Sequence, residues 1–142
     1  CSGGIITANN TPGVNWIQSD SESVNVPAGQ TVGLGSMGDA KPSTGFFLIS
    51  AYINFQQASG GSSQVFLQLD DVTSGSTLLD EATSNPSSGV GGAGTITITW
   101  VVPITQYGGF QNFGLAVANT GTTAITVMGH NMTAMFFPRQ NN

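Results

Sequence analysis

Between residues 46 and 56 apolar side chains alternate with the rest of the chain. Phe47, Ile49, Ala51, Ile53 and Phe55 share one face, and Phe46, Leu48, Ser50, Tyr52 and Asn54 the other. A period of two predicts a strand, because successive side chains on a pleated backbone point to opposite faces. The same period recurs. Residues 64–70 send Val65, Leu67 and Leu69 inward. Residues 95–102 send Ile96, Ile98, Trp100 and Val102 inward and Thr95, Thr97 and Thr99 outward, with Pro103 ending the strand. Residues 111–118 send Phe113, Leu115 and Val117 inward. Shorter strands are predicted at 14–17 around Trp16, at 23–26, at 31–34 and at 77–82. The last long strand spans 123–137. Ile125 and Val127 hold one phase, and after Gly129 the apolar positions shift to Met132, Ala134 and Phe136, so a bulge is expected at Gly129.

Turn chemistry separates these segments. Pro27-Ala28-Gly29, the Gly/Ser run at 58–63, Thr73–Ser76 and Asn119–Thr122 read as turns, 35–45 as a loop, and 83–94 as a long Ser/Gly loop. No window carries an apolar stripe at helical spacing, and Gly and β-branched residues recur throughout, which helices tolerate poorly. The expectation is an all-β, antiparallel, two-sheet jelly-roll sandwich of eight to ten strands. Its organisation divides into an N-terminal arm (1–13), a jelly-roll domain (14–137) and a C-terminal tail (138–142).

Composition narrows the function. The chain has 142 residues, of which 6% are charged, against about a quarter in ordinary soluble domains. Only Lys41 and Arg139 are basic, His130 is the one histidine and Cys1 the one cysteine. Enzymes rely on converging titratable groups, and this chain offers few, so no enzymatic activity and no cofactor are expected. A net charge of −5 disfavours nucleic acid and anionic membrane, whose phosphates call for Lys and Arg. Cys1 followed by Ser2-Gly3-Gly4 has the look of a processed lipoprotein start, and lipidation there is the one route to a membrane; an N-terminus left by ordinary processing is the alternative.

The second faces of 46–56 and 123–137 are apolar enough to need cover. Self-association is the simplest account, with Phe46, Leu48, Tyr52, Met128, His130, Met132 and Phe136 as candidate subunit-interface residues. Ile5 and Ile6 are the apolar anchors of the arm, which would fasten the chain to a neighbouring protein.

The order of blocks, GFFLISAYINF at 45–55, VFLQLDDVTSGSTLLDE at 65–81, TITITWVV at 95–102, FGLAVA at 113–118 and a closing strand ending in MTAMFF, resembles the C1q/TNF-like trimeric jelly rolls. Such domains occur in phage capsid decoration and fibre-head proteins and in bacterial collagen-like surface filaments. The resemblance covers residues 14–137 and is one of strand pattern. It implies a homotrimer built on the sheet carrying the first and last long strands, and a place on a virion surface or, alternatively, on a bacterial surface or extracellular filament. With no Gly-X-Y or coiled-coil stalk ahead of the domain, the expectation is a stand-alone subunit.

Three further groups carry candidate chemistry. Asp70, Asp71, Asp80 and Glu81 flank one hairpin and are weak candidates for a Ca²⁺ site, set against a solvated acidic edge that discourages strand pairing. Tyr107 and Phe110 bracket a Gly-Gly loop and are candidate glycan contacts, set against ordinary packing; through this loop or the long loop at 83–94 the alternative function is a glycan- or host-receptor-binding module of a tail fibre. His130 has no nucleophile motif beside it and reads as structural. Asn131-Met132-Thr133 and Asn9-Asn10-Thr11 match the glycosylation sequon, a pattern frequent by chance.

Overall fold

Alternating apolar and β-branched residues build nine strands among the described residues: β1 (Gly13–Asp20), β2 (Val24–Val26), β3 (Gln30–Ala40), β4 (Gly45–Gln57), β5 (Val65–Asp71), β6 (Thr77–Ser84), β7 (Ala93–Ile104), β8 (Phe110–Asn119) and β9 (Ile125–Pro138). The computed structural model describes residues 13–20, 23–40, 44–57, 61–86, 92–106 and 108–139, with backbone alone at 13–20 and 39–40. Cys1, Ile5, Ile6 and Tyr107 lie outside them.

The strands form two antiparallel sheets, a jelly-roll sandwich. The first has the order β1-β9-β4-β7, with β2 also pairing β9; the second has the order β3-β8-β5-β6. The core lies between them. Phe47, Ile49, Ile53 and Phe55 of β4, Leu67 and Leu69 of β5, Phe113 and Val117 of β8, and Ile125 and Val127 of β9 are all buried there. Aromatic contacts tie the layers together: Phe47 meets Phe113 of the opposite sheet edge-on, ring centroids 5.8 Å apart, and its neighbour Phe136 at 5.0 Å. Such pairs add about 1 kcal/mol beyond the area they bury.

Two strands, β3 and β7, depart from the sequence reading. β3 continues to Ala40, where a loop from 35 was expected. Its glycines hid it: Gly35 has φ 152°, the backbone is irregular between Gly33 and Gly35, and pairing with β8 then resumes as far as Ala40↔Phe110. β7 does not stop at Pro103 but runs to Ile104. It is an edge strand, hydrogen-bonded only to β4, so a proline without N–H is tolerated. Trp100 keeps the core-facing phase of Ile98 and Val102, yet is 39% exposed. An edge strand has no neighbour beyond it to close the sandwich over so large a ring.

The expected bulge near Gly129 is present. Asn54 pairs with Gly129 and Phe55 with Val127, leaving Met128 as the extra residue. One inserted residue reverses the parity of everything that follows.

Candidate functional site

That reversal decides which side chains β9 presents outward. Before the bulge, Ile125 and Val127 point into the core; after it His130, Met132, Ala134 and Phe136 do. Of the seven candidate interface residues, Met132 and Phe136 are each 1% exposed and His130 3%. Their assignment to a subunit interface is therefore corrected: they pack inside their own sandwich. Phe46, Tyr52 and Met128 are exposed and Leu48 half-buried, all on the outer side of the first sheet.

Exact cross-strand pairing arranges that outer side in rows. Phe46 of β4 lies between Phe137 of β9 and Pro103 of β7, and its ring stacks on Phe137 at 5.1 Å and 15°. In the next row Leu48 lies between Met135 and Val101, the latter 50% exposed. Beyond these two apolar rows the face turns polar. Ser50 lies between Thr133 and Thr99, Tyr52 between Asn131 and Thr97, and Asn54 between Gly129 and Thr95. The polar groups hydrogen-bond among themselves: Thr95 donates its hydroxyl to Asn54 Oδ1 at 2.8 Å, and Thr133 donates to Asn131 Oδ1 at 3.1 Å. No residue of these rows is charged. The result is a pleated surface, apolar at one end and hydroxyl- and amide-bearing at the other.

Sequence reasoning found the β4 members and missed Met135, Phe137, Val101 and Pro103. The signal was present. Counting in twos from the bulge, rather than through it, places Met135 and Phe137 outward, and Val101 alternates with the inward Val102.

The acidic hairpin does not assemble a metal site. A register shift between Leu69 and Asp70 sets Leu69 opposite Asp80 and Asp70 opposite Leu78. Asp71 Oδ1 accepts the Thr73 amide at 2.9 Å, closing the turn, while Glu81 Oε2 accepts from Gln68 Nε2 at 2.6 Å. Among the described residues no group of three His, Cys, Asp or Glu side chains comes together. Asp70 stands apart from the other acids. Partial burial raises its pKa above the ordinary 3.8, and a hydrogen bond with Ser76 pulls the other way. A raised folded-state pKa favours the fold below the unfolded value, and that contribution is lost as pH rises through the folded one. Asp70→Asn should therefore raise Tm slightly at pH 7, with the gain vanishing below about pH 3.8. Thermal melts of both proteins across that range check it; a gain that persists at low pH would mean that desolvation of the carboxylate is not the cause.

The other candidates stand alone. Phe110 opens β8 and is 65% exposed, so it is available as a single platform. Among the described residues His130 has no hydrogen-bond partner on either ring nitrogen.

No protein-family model matches the chain, and no curated protein matches its sequence. Solved structures do match its fold. The chain is similar to a structure of the Gx strain of infectious bursal disease virus, with a TM-score of 0.62 and 13% identity over 93% of this chain and 34% of that one. It is similar to the VP2 subviral particle of the same virus, with a TM-score of 0.60 and 12% identity over 89% and 33%. The T13 viral particle of that virus gives 0.54 and 10% over 92% and 36%. The chain thus spans about a third of the length of these proteins, and at such identities the likeness establishes the fold.

Proposed function

We propose that this chain is a non-enzymatic structural subunit of a virion surface, a homotrimer of C1q/TNF-like jelly rolls serving as a phage capsid decoration or fibre-head protein. The observation that carries the reading is the outer side of the first sheet. Two apolar rows centred on Phe46 and Leu48 continue into an uncharged Thr/Asn/Tyr surface. Such a surface fits its own copy well. The apolar ends exclude water together, and each hydroxyl or amide can act as donor or acceptor for its counterpart. No charge has to be desolvated. The likeness to subviral and viral particles supports a particle-building role, and the scarcity of convergent titratable groups supports a role without catalysis. The arm, expected at residues 1–13 but limited to 1–12 because β1 begins at Gly13, would fasten the subunit to a neighbouring capsid or filament protein.

Light scattering on the full chain at micromolar concentration should return the mass of a trimer, and a monomer would overturn the reading. A chain lacking residues 1–12 should keep that mass while losing attachment to its particle; unchanged particle occupancy would assign attachment to the sandwich loops instead.

A further inference from the structure

At one end of the sandwich, away from the proposed assembly face, residues 61–64 before β5, 85–86 after β6 and 120–122 between β8 and β9 meet around an open cleft of about 450 Å³. That size lies within the ~300–1,000 Å³ of small-molecule sites. Its framework is fixed by hydrogen bonds between loops distant in sequence. Thr120 N donates to Gln64 O at 2.9 Å, Thr122 N to Ser62 O at 2.8 Å, and Ser63 Oγ to Thr123 O at 3.0 Å. The buried Asn119 side chain braces the β8–β9 turn from below, donating to Val26 O and Thr123 O and accepting from Gly121 N. Gly121 sits so close against the Ser62 and Ser63 backbone that any side chain there would collide with it.

The chemistry of the wall is as specific as its geometry. The lining is Gly61, Ser62, Ser63, Gln64, Asn85, Pro86, Thr120, Gly121 and Thr122. Among these described residues there is no cation to meet a carboxylate, sulfate or phosphate, and no carboxylate to meet an amine or a metal. Gln64 Oε1 accepts from Thr120 Oγ at 3.3 Å, which leaves the exposed Gln64 amide nitrogen to donate outward. The exposed Asn85 carboxamide supplies both a donor and an acceptor from the opposite loop. The hydroxyls of Ser62 and Thr122 lie 3.3 Å apart on the floor, and Pro86 adds an apolar flank.

We propose that this cleft binds a neutral saccharide. Hydroxyls and carboxamides at fixed spacing suit a ligand that carries many hydroxyls and no charge, and the rigid framework lowers the ordering cost of binding it. Without an aromatic platform the affinity belongs in the millimolar range. The site does not depend on self-association, so it stands or falls separately from the trimer.

The test is an amide NMR titration of the full chain with the common neutral mono- and disaccharides, with sialyllactose and a Ser/Thr/Asn-rich tetrapeptide in parallel. The expected result is saturable shifts at Ser62, Gln64, Thr120 and Thr122 with at least one neutral sugar. Gln64→Ala and Asn85→Ala, both exposed, should each weaken binding about fivefold, the worth of one hydrogen bond, with Tm unchanged. The proposal is overturned if no neutral sugar gives a saturable response up to about 50 mM. It is equally overturned if only sialyllactose or the peptide responds, or if the shifts are indifferent to both variants.

Discussion

Met132→Asp should unfold this protein, whereas Tyr52→Asp should leave it folded and separate its copies. The two residues lie on neighbouring central strands of one sheet, Tyr52 on β4 and Met132 on β9, and the bulge at Met128 puts them on opposite sides of it. Met132 is 1% exposed and packs in the core cluster. A carboxylate there would have no partner and no water, a penalty on the order of 5 kcal/mol. That rivals the total stability of a typical domain, about 5–15 kcal/mol. Tyr52 is 40% exposed and lies between Thr97 and Asn131, both uncharged. An aspartate there stays hydrated in the monomer, and the cost to the fold is within about 1 kcal/mol. In the proposed trimer it would be desolvated against the uncharged surface of a neighbouring copy, at roughly 3 kcal/mol or more, a loss of a hundredfold or more in affinity. Circular dichroism and light scattering on both variants give the answer. A folded, monomeric Met132→Asp would reverse the facing of β9 derived from the bulge. A Tyr52→Asp protein that remains trimeric would move the interface off this sheet.

These two residues also mark where the sequence was legible. Local alternation placed β4, β5, β7 and β8 and sorted their core residues correctly apart from Trp100, because a strand buried on one face carries its period in its own residues. Gly129 marked the bulge for the same reason: apolar positions on either side of it disagree in phase. What did not follow locally was the consequence for His130, Met132 and Phe136. Residues 132–137 are apolar or small on both parities, so neither face announces itself as inner until pairing with β4 fixes the register. Trp100 failed differently. Its phase was right, but its exposure depends on β7 being an edge strand, and strand order is a property of the whole chain. β3 was cut short because Gly33, Gly35 and Gly38 read as a loop when β8 alone holds them in a strand. The proposed saccharide cleft was legible only in part: the long Ser/Gly loop at 83–94, which supplies Asn85 and Pro86, stood out, whereas 61–64 and 120–122 read as ordinary polar turns.

His130→Met should make the protein more stable. The imidazole is 3% exposed, and among the described residues neither ring nitrogen has a hydrogen-bond partner. A neutral imidazole brings one donor and one acceptor into the core, and leaving such groups unmet costs about 1–3 kcal/mol. Methionine is close in volume and adaptable in shape, so it can fill the space next to Ile53, the cross-strand neighbour on β4. The gain should appear as a rise in Tm of several degrees, at about 2–4 °C per kcal/mol for a domain of this size. His130→Leu should move in the same direction, which guards against an accident of methionine packing. Both variants should assemble as the parent does, since position 130 faces away from the proposed interface. A fall in Tm for both would show that the ring is held by an internal water, and that His130 supports the fold instead of straining it. A rise in Tm accompanied by loss of the trimer would tie the strain itself to assembly, with the cost of the unmet imidazole recovered when the copies come together.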